Sequence, residues 1–175
     1  MSYTKIRDAY RSFYKKHKDK LFAYLMRMTG DYDLSCDIMQ ESFTRYLEHY
    51  EKQALSVALL YTIARNSLFD HTRKQGCNTR LGYKQRSYSG DQERALMVRE
   101  EYRRVVSAMH KLEKKERDIL ALAVTGDLSY KEIASIAGIS EANVKVKVHR
   151  ARLNLRKLLS QEIYDGLFDQ HVYRQ

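Results

Sequence analysis

The chain has 175 residues, carries a formal net charge of +10, and is 43% hydrophobic and 31% charged. This length allows one ordinary domain or two small ones, and the excess of positive charge predicts an anionic partner, either nucleic acid or a membrane surface. No run of about 20 apolar residues is present, which excludes membrane insertion, and Met1–Lys20 lacks the apolar segment of a secretory signal, so we expect a cytoplasmic protein.

Cysteine and histidine give no sign of a metal or redox centre. Cys36 and Cys77 are isolated in the sequence, and the six histidines are scattered without metal-ligand spacing. We therefore expect two reduced thiols, no metal site and no cofactor.

The chain contains no proline and only seven glycines, which favours an all-α fold. Apolar residues at helical spacing predict a first helix through Phe13–Met28, which Gly30 ends. A second helix is predicted over Leu34–Tyr50 and a third from Ser56 to about Arg73. The apolar side of the second helix is predicted to comprise Ile38, Met39, Phe43, Tyr46 and Leu47.

The segment Gly76–Gln92 interrupts this pattern with glycines and small polar residues, and it is predicted to be a flexible linker between two small helical domains. The predicted boundaries are 1–75 for the first domain, 76–95 for the linker and 96–175 for the second domain. Beyond the linker, one apolar stripe comprises Tyr102, Val105, Val106, Met109 and Leu112, and the next comprises Ile119, Leu120, Leu122 and Ala123, with Gly126 as its predicted end.

The segment Ser129–Lys157 is predicted to be a helix-turn-helix. Ser129 and Glu132 have the spacing of a capping box, in which each side chain accepts a hydrogen bond from the other residue's backbone amide. Gly138 can take the left-handed conformation that a tight turn needs, and Ser140 can cap the second helix. A capped helix, a glycine turn and a second helix in this order indicate binding in a DNA major groove.

The second helix of this motif has a basic outer face opposite an apolar one. Side chains near its start can approach base edges, and we assign Lys145, Val146, His149 and Arg150 to this group. Four others are better placed to contact phosphates, and these are Lys131, Asn143, Lys147 and Arg152.

An acidic strip stands out in this basic chain. Asp33, Asp37 and Glu41 follow each other at intervals of four, so they share one face of the second helix. A surface that binds DNA would not carry such a strip. A basic protein surface is the better partner, and an ordinary solvated acidic face is the alternative.

Two separated motifs give the chain its resemblance to a known family. The segment LEKKERDILALAVTGDLSYKEIASIAGISEANVKVKVHRARLNLRK resembles region four of the extracytoplasmic-function (ECF, group IV) class of the sigma-70 family, which reads the −35 promoter element. GDYDLSCDIMQESF resembles the family's region two, and LLYTIARNSLFDHTRK resembles its −10-reading segment. The resemblance covers about Tyr10 to Lys157.

The resemblance implies an alternative sigma factor, without catalytic activity, that directs bacterial core RNA polymerase to specific promoters and helps to initiate transcription. Its implied partners are the β′ clamp helices and the β subunit of the polymerase, promoter DNA and an anti-sigma factor. The polymerase-binding residues that it implies are Asp33, Asp37, Ile38, Gln40 and Glu41. The implied −10 contacts are Tyr50, Tyr61, Arg65, Asn66, His71, Arg73 and Lys74, although the two tyrosines fit core packing as well as base stacking.

Three positions depart from the family's usual residues. Glu113 stands where proline is usual after Leu112, Leu59 stands where tryptophan is usual, and Val146 replaces a small polar residue in the recognition helix. Val146 can contact a thymine methyl group, so the promoter preference is expected to differ.

Two other function classes are alternatives for this sequence. A conventional helix-turn-helix regulator, with a sensor or dimerisation domain in its first half, would bind a palindromic site as the free protein. A nuclease or recombinase would need carboxylates with metal-ligand spacing, an activated nucleophile or a phosphate-binding loop. The only acid cluster in the sequence is that of Asp33, Asp37 and Glu41, and the neighbouring aromatic residues and the missing histidine partner argue against a cation site there.

Overall fold

In the computed structural model of this protein, the backbone is described for residues 3–50, 55–74 and 92–172, and every element in these ranges is an α-helix. The expected all-α fold is thus confirmed. The described helices are α1 (Tyr3–Thr29), α2 (Tyr32–Tyr50), α3 (Val57–Lys74), α4 (Gln92–His110), α5 (Lys114–Ala123), α6 (Tyr130–Ala137) and α7 (Glu141–Val172). None of them is long and apolar enough to cross a membrane. Nearly all of the predicted linker, with Cys77, lies outside the described residues.

Helices α1–α3 form the N-terminal half, and their junctions follow from local sequence. Gly30 ends α1 with φ of 67°, a left-handed conformation that glycine adopts without a Cβ clash. The Asp31 carboxylate then accepts a hydrogen bond from the Leu34 amide at 3.0 Å and caps α2. Ser56 caps α3 in the same way, and its own amide donates to the buried Tyr46 hydroxyl at 2.6 Å.

The core of this half is built from the apolar stripe predicted for α1. Leu21 and Tyr24 are fully buried, and Leu60 of α3 is buried against them. Phe13 stacks on Tyr46 of α2, with 5.4 Å between the ring centroids. Each such large apolar side chain contributes about 1.5–3 kcal/mol by leaving water, so this face holds the three helices together.

Helices α4–α7 form the C-terminal half. Ile133 of α6 and both Val144 and Val148 of α7 are almost completely buried where the two helices cross. Helix α5 packs against both α6 and α7, and α4 packs against α7. The packing of α4 and α5 against these two helices fixes the position of the turn between α6 and α7.

The two halves also pack against each other, which the sequence analysis did not predict. Helix α5 has five consecutive buried residues, from Asp118 to Leu122. Successive helical residues point in different directions, so such a run requires cover on more than one side. Helices α6 and α7 cover one side of α5 and α1 covers another, while α3 contacts α6. The two halves therefore share one continuous core.

Two predicted core positions are wrong. Leu47 of α2 is 39% exposed and Val105 of α4 is 37% exposed. The inward face of α2 includes the small buried Ser42, and that of α4 includes the small buried Ala108. Ser42 and Ala108 thus occupy inward positions, and Leu47 and Val105 lie at the outer edges of the apolar stripes of α2 and α4.

Several helix boundaries also differ from the prediction. Helix α5 ends at Ala123 with Val124 as its C-cap, three residues before Gly126, which has φ of 73° in the turn that follows. Helix α4 begins at Gln92, inside the predicted linker, and α7 continues to Val172 through a tail for which no helix was predicted.

Candidate nucleic-acid interface and partner-binding surface

The helix-turn-helix is confirmed with the local geometry that the sequence predicts. The Ser129 amide donates to the Glu132 carboxylate at 2.7 Å, and the Glu132 amide donates to the Ser129 hydroxyl oxygen at 3.3 Å, which completes the capping box. Hydrogen bonds from the Ser129 hydroxyl and the Ser129 amide to the Glu132 carboxylate hold the pKa of Glu132 below its usual range. Gly138 caps the C-terminus of α6 with φ of 67°, and the Asn143 amide donates to the Ser140 hydroxyl oxygen at 3.2 Å.

The N-terminal part of α7, residues Glu141–Lys157, is the recognition helix, and its two faces separate as predicted. Val144, Val148 and Ala151 are buried against α6 and α5. The opposite face leaves seven of the eight predicted −35 residues exposed, including Lys131 of α6, and these are Lys131, Asn143, Lys145, Val146, His149, Arg150 and Arg152. The eighth, Lys147, is half-buried.

Among the salt bridges of the described residues, one involves this basic face. Lys145 pairs with Glu141 one turn earlier, with 3.0 Å between Nζ and the carboxylate oxygen, and both side chains are largely exposed. An exposed pair of this kind contributes little to stability. Lys145 can therefore exchange Glu141 for a DNA group at small cost.

The predicted −10 residues on α3 have different surroundings. Asn66, Arg73 and Lys74 are exposed, and His71 is half-buried. Arg73 pairs with Asp70 at 3.2 Å on the surface. Arg65 is 20% exposed at its side chain, because it is engaged by the C-terminal half of the chain.

Two tyrosines, Tyr50 and Tyr61, were predicted either to stack on unpaired bases or to pack in the core. Tyr61 is fully buried and meets Tyr24 edge-on, with 5.5 Å between the ring centroids. In this structure Tyr61 therefore packs in the core and does not present its ring for base stacking. Its orientation follows from the inward face of α3, which also carries Leu60 and Ala64. The side chain of Tyr50 lies outside the described residues.

The acidic strip lies on the outer face of α2. Asp33, Asp37, Gln40 and Glu41 are all exposed, and we refer to Asp33, Asp37 and Glu41 as the acidic face. Glu41 pairs with Arg45 at 2.5 Å. Ile38 was assigned to the same surface, and this is wrong for the described conformation: it is 2% exposed and belongs to the core between α1 and α2.

Two buried or half-buried carboxylates join the two halves, and the sequence analysis missed both. Asp118 of α5, with a side chain 4% exposed, accepts hydrogen bonds from the Tyr24 hydroxyl at 3.0 Å and from Arg65 Nε at 2.8 Å. Burial and the negative charge of Asp118 raise the pKa of Tyr24 well above its ordinary value, so this tyrosine remains a neutral donor. An acid inside the apolar run DILALA was the available signal, since a buried carboxylate needs partners.

The second carboxylate is Asp127, in the loop between α5 and α6. One of its oxygens lies 2.9 Å from His17 Nδ1, and the other accepts a hydrogen bond from Lys20 Nζ. Burial alone would raise the pKa of Asp127, but the hydrogen bonds from Lys20 and His17 outweigh this effect and hold the pKa below its usual range.

Among the described residues, no group of three or more His, Cys, Asp or Glu side chains has the arrangement of a metal site. The candidate functional surfaces in these residues are a basic helix on one half and an acidic face on the other.

Comparison with known proteins finds matches for both halves of the chain. The model of "Sigma-70 region 2" matches residues 13–77, and that of "Sigma-70, region 4" matches residues 102–155. The chain is 30% identical over 167 residues to the ECF RNA polymerase sigma factor SigM of Bacillus subtilis, covering 87% of this chain and 96% of the relative. It is 28% identical over 157 residues to the ECF RNA polymerase sigma factor SigL of Mycobacterium tuberculosis, covering 86% of this chain and 89% of the relative.

Two solved structures share the fold. The sigma factor RpoE of Bartonella quintana, in complex with the anti-sigma factor NepR, superposes with a TM-score of 0.68 at 21% identity, covering 87% of this chain and 97% of that chain. CnrH, in complex with the cytosolic domain of CnrY, gives a TM-score of 0.65 at 21% identity, covering 89% of this chain and 90% of that chain.

Proposed function

Because the chain belongs to the sigma-70 family of RNA polymerase sigma factors, we propose that it is an alternative sigma factor of the extracytoplasmic-function group. It directs bacterial core RNA polymerase to specific promoters and acts in the cytoplasm, where the polymerase works. The observation that carries this proposal is the presence of two surfaces of opposite charge in one chain. The recognition helix suits DNA, and the acidic face of α2 suits a basic protein.

The recognition helix supports reading of the −35 element. Its inner face is fixed by buried valines, so its exposed face is presented as a rigid surface of about 25 Å for 17 residues. Arg150 and His149 are exposed near its centre and can reach base edges in the major groove. The surrounding cations position the helix on phosphates without reading sequence.

The end of α3 supports contact with the −10 element. Asn66 is exposed and offers both a donor and an acceptor to an unpaired base. Arg73 and Lys74 are exposed at the C-terminus of the same helix, where they can neutralise phosphates. Core polymerase, which opens the duplex, supplies the unpaired strand in this scheme.

The acidic face supports binding to core polymerase. Asp33, Asp37 and Glu41 repel one another along one side of α2, an arrangement that costs a few tenths of a kcal/mol per pair in an isolated helix. A basic partner surface, such as the clamp helices of β′, removes this repulsion on binding. The β subunit is the expected partner of the C-terminal half, and an anti-sigma factor is expected to compete for these surfaces.

The experiment that tests the proposal is binding of the full chain to purified core polymerase. Reversing two charges in D37K/E41K should abolish complex formation, because the acidic face becomes basic and repels its partner. Circular dichroism should be unchanged, since both side chains are exposed. The matched control D8K/D19K makes the same charge change at exposed acids of α1 and should bind core polymerase normally.

The proposal fails if D37K/E41K binds core polymerase as well as the control does. It also fails if the unmodified free protein binds a palindromic duplex specifically and core polymerase adds nothing. That second result would favour the conventional regulator, whose DNA binding needs no polymerase.

A further inference from the structure

An apolar ridge runs along the outward side of the recognition helix. Val146 lies midway between the buried Val144 and Val148, so it stands about 160–200° round the helix axis from both. Ala142 precedes Val146 by one turn and Leu153 follows it by two, on the same outward side. Val146 is 48% exposed and Leu153 is 43% exposed. We refer to Ala142, Val146 and Leu153 as the outer ridge, which gives this basic helix an apolar side facing away from the protein.

Polar and charged side chains flank the outer ridge on both sides. Arg152 lies on one flank, and Asn143 and Lys147 lie on the other. A partner that covers the whole face must therefore present an apolar group in the middle and negative charge along both edges. An apolar protein groove does not fit this order, because it would bury the two flanks without partners.

The major groove of DNA presents the required order of chemistry. It is about 12 Å wide, so it admits a helix of about 10–12 Å diameter with phosphates along both edges. On the floor of the groove, the C5-methyl group of thymine is the apolar group that the base edges display, whereas the other groups there donate or accept hydrogen bonds. A helix that enters with its outer ridge leading therefore brings Val146 to methyl groups and the two flanks to phosphates.

We propose that Val146 reads a thymine of the −35 element, on either strand, through the C5-methyl group of that base. This inference rests on the proposed function, and it names one base that the recognition helix selects. Val146 lies in the second turn of α7, near the N-terminal end from which recognition helices reach base edges. Its β-branched side chain has one strongly preferred rotamer in a helix, so its two methyl groups are held in place before DNA binds.

Replacing thymine by deoxyuridine removes the methyl group and nothing else, so it tests this contact directly. In a promoter selected with core polymerase and the full chain, each thymine of the −35 element is replaced in turn on both strands. Fluorescence anisotropy then measures the affinity of the holoenzyme for each duplex. We expect replacement of the contacted thymine to weaken binding about three- to fivefold, the value of withdrawing one methyl group from water. V146A should bind the unmodified promoter more weakly and should lose this deoxyuridine penalty.

Two further variants serve as controls. V146I keeps a β-branched apolar side chain and should retain the deoxyuridine penalty. V124A shortens a valine of similar exposure, 44%, at the C-cap of α5 and outside the recognition helix. It should retain both the affinity and the penalty. Circular dichroism should be unchanged for all three variants, because both valines are exposed.

The methyl contact is overturned if no deoxyuridine replacement weakens binding, or if V146A keeps the full penalty. It is also overturned if V146A weakens binding to core polymerase without DNA and leaves promoter recognition unchanged, since the outer ridge would then face a protein. A holoenzyme that still starts at defined promoters leaves the proposed function standing in each case. Conversely, a free chain that binds its own selected duplex without polymerase, with the same penalty and its loss in V146A, would support the methyl contact and refute the proposed function.

Discussion

Two buried tyrosines at the boundary between the halves provide a matched pair for testing its energetics. Tyr24 and Tyr61 are both fully buried, and their rings meet edge-on. Their hydroxyl groups differ: Tyr24 donates to Asp118 at 3.0 Å, whereas Tyr61 lies near Thr125 outside hydrogen-bond geometry and has no partner among the described residues. Comparing the two hydroxyl removals therefore isolates the hydrogen bond from Tyr24 to Asp118.

The expected magnitudes follow from this difference. Y24F leaves a carboxylate that is 4% exposed with one donor fewer, and a hydrogen bond to a charged group is worth about 1.5–3 kcal/mol. We expect the free energy of unfolding to fall by about 2 kcal/mol. Y61F removes a buried hydroxyl that has no hydrogen bond to lose, so stability should stay the same or rise by up to about 1 kcal/mol.

Urea unfolding of the full chain, followed by circular dichroism at 222 nm, measures both changes. For a protein of this size, the Y24F effect corresponds to a fall in Tm of about 4–8 °C. Equal losses for Y24F and Y61F would show that ring packing, and not the Asp118 hydrogen bond, accounts for the effect. A loss below about 0.5 kcal/mol for Y24F would show that water replaces the hydroxyl at Asp118 without cost.

Three further predictions concern the C-terminal half. In promoter binding by the holoenzyme, R150A should cost about 1–3 kcal/mol and relax preference at one −35 position, whereas K147A should weaken all promoters alike and reduce the salt slope by about one; equal, sequence-independent losses would show that the contacts are sorted wrongly. S129A should lower the free energy of unfolding by about 1 kcal/mol through loss of the capping box, while S135A, at an exposed site within the same helix, should not be destabilising in the same urea titration. Burial and the neighbouring Arg117 lower the pKa of His110 to about 4; between pH 6.5 and pH 4 the unfolded chain therefore binds more protons, and stability should fall by about 1–2 kcal/mol after allowance for solvent screening. H110Q should flatten that part of the pH profile, and an unchanged profile would exclude His110 as its source.

The sequence predicted the helix-turn-helix in detail because its determinants are local. The capping box joins residues three apart, and Gly138 fixes the turn through its own backbone conformation. Interactions between residues this close in the sequence can be recognised from the residue types and their spacing. The observed helix-turn-helix therefore agrees closely with the predicted one.

Positions on the edges of helical faces were harder to predict. Ile38 was assigned to the polymerase-binding surface as well as to the apolar side of α2, and Tyr61 was left open between base stacking and core packing; both are buried in the described conformation. Leu47 was assigned to the core and is largely exposed. Apolar spacing shows that a helix has an inner face, but the width of that face depends on which helices cover it, and the sequence does not give this packing.

The closed arrangement of the two halves could not be derived from periodicity at all. Its contacts join residues such as His17 and Asp127, which are 110 positions apart. The unusual composition of α5 was the available hint, since Ile119–Ala123 is apolar on every side and Asp118 precedes it. A helix of this kind requires two covering surfaces, and the N-terminal half supplies the second.

In the proposed function, this chain gives core RNA polymerase its promoter specificity. The most direct measurement is in vitro transcription from a library of promoter fragments, with purified core polymerase in the presence and absence of the full chain. Defined start sites should appear only when both are present, with shared sequence elements at −10 and −35 upstream of them. Transcripts that are identical with and without the chain, together with specific duplex binding by the chain alone, would refute this role.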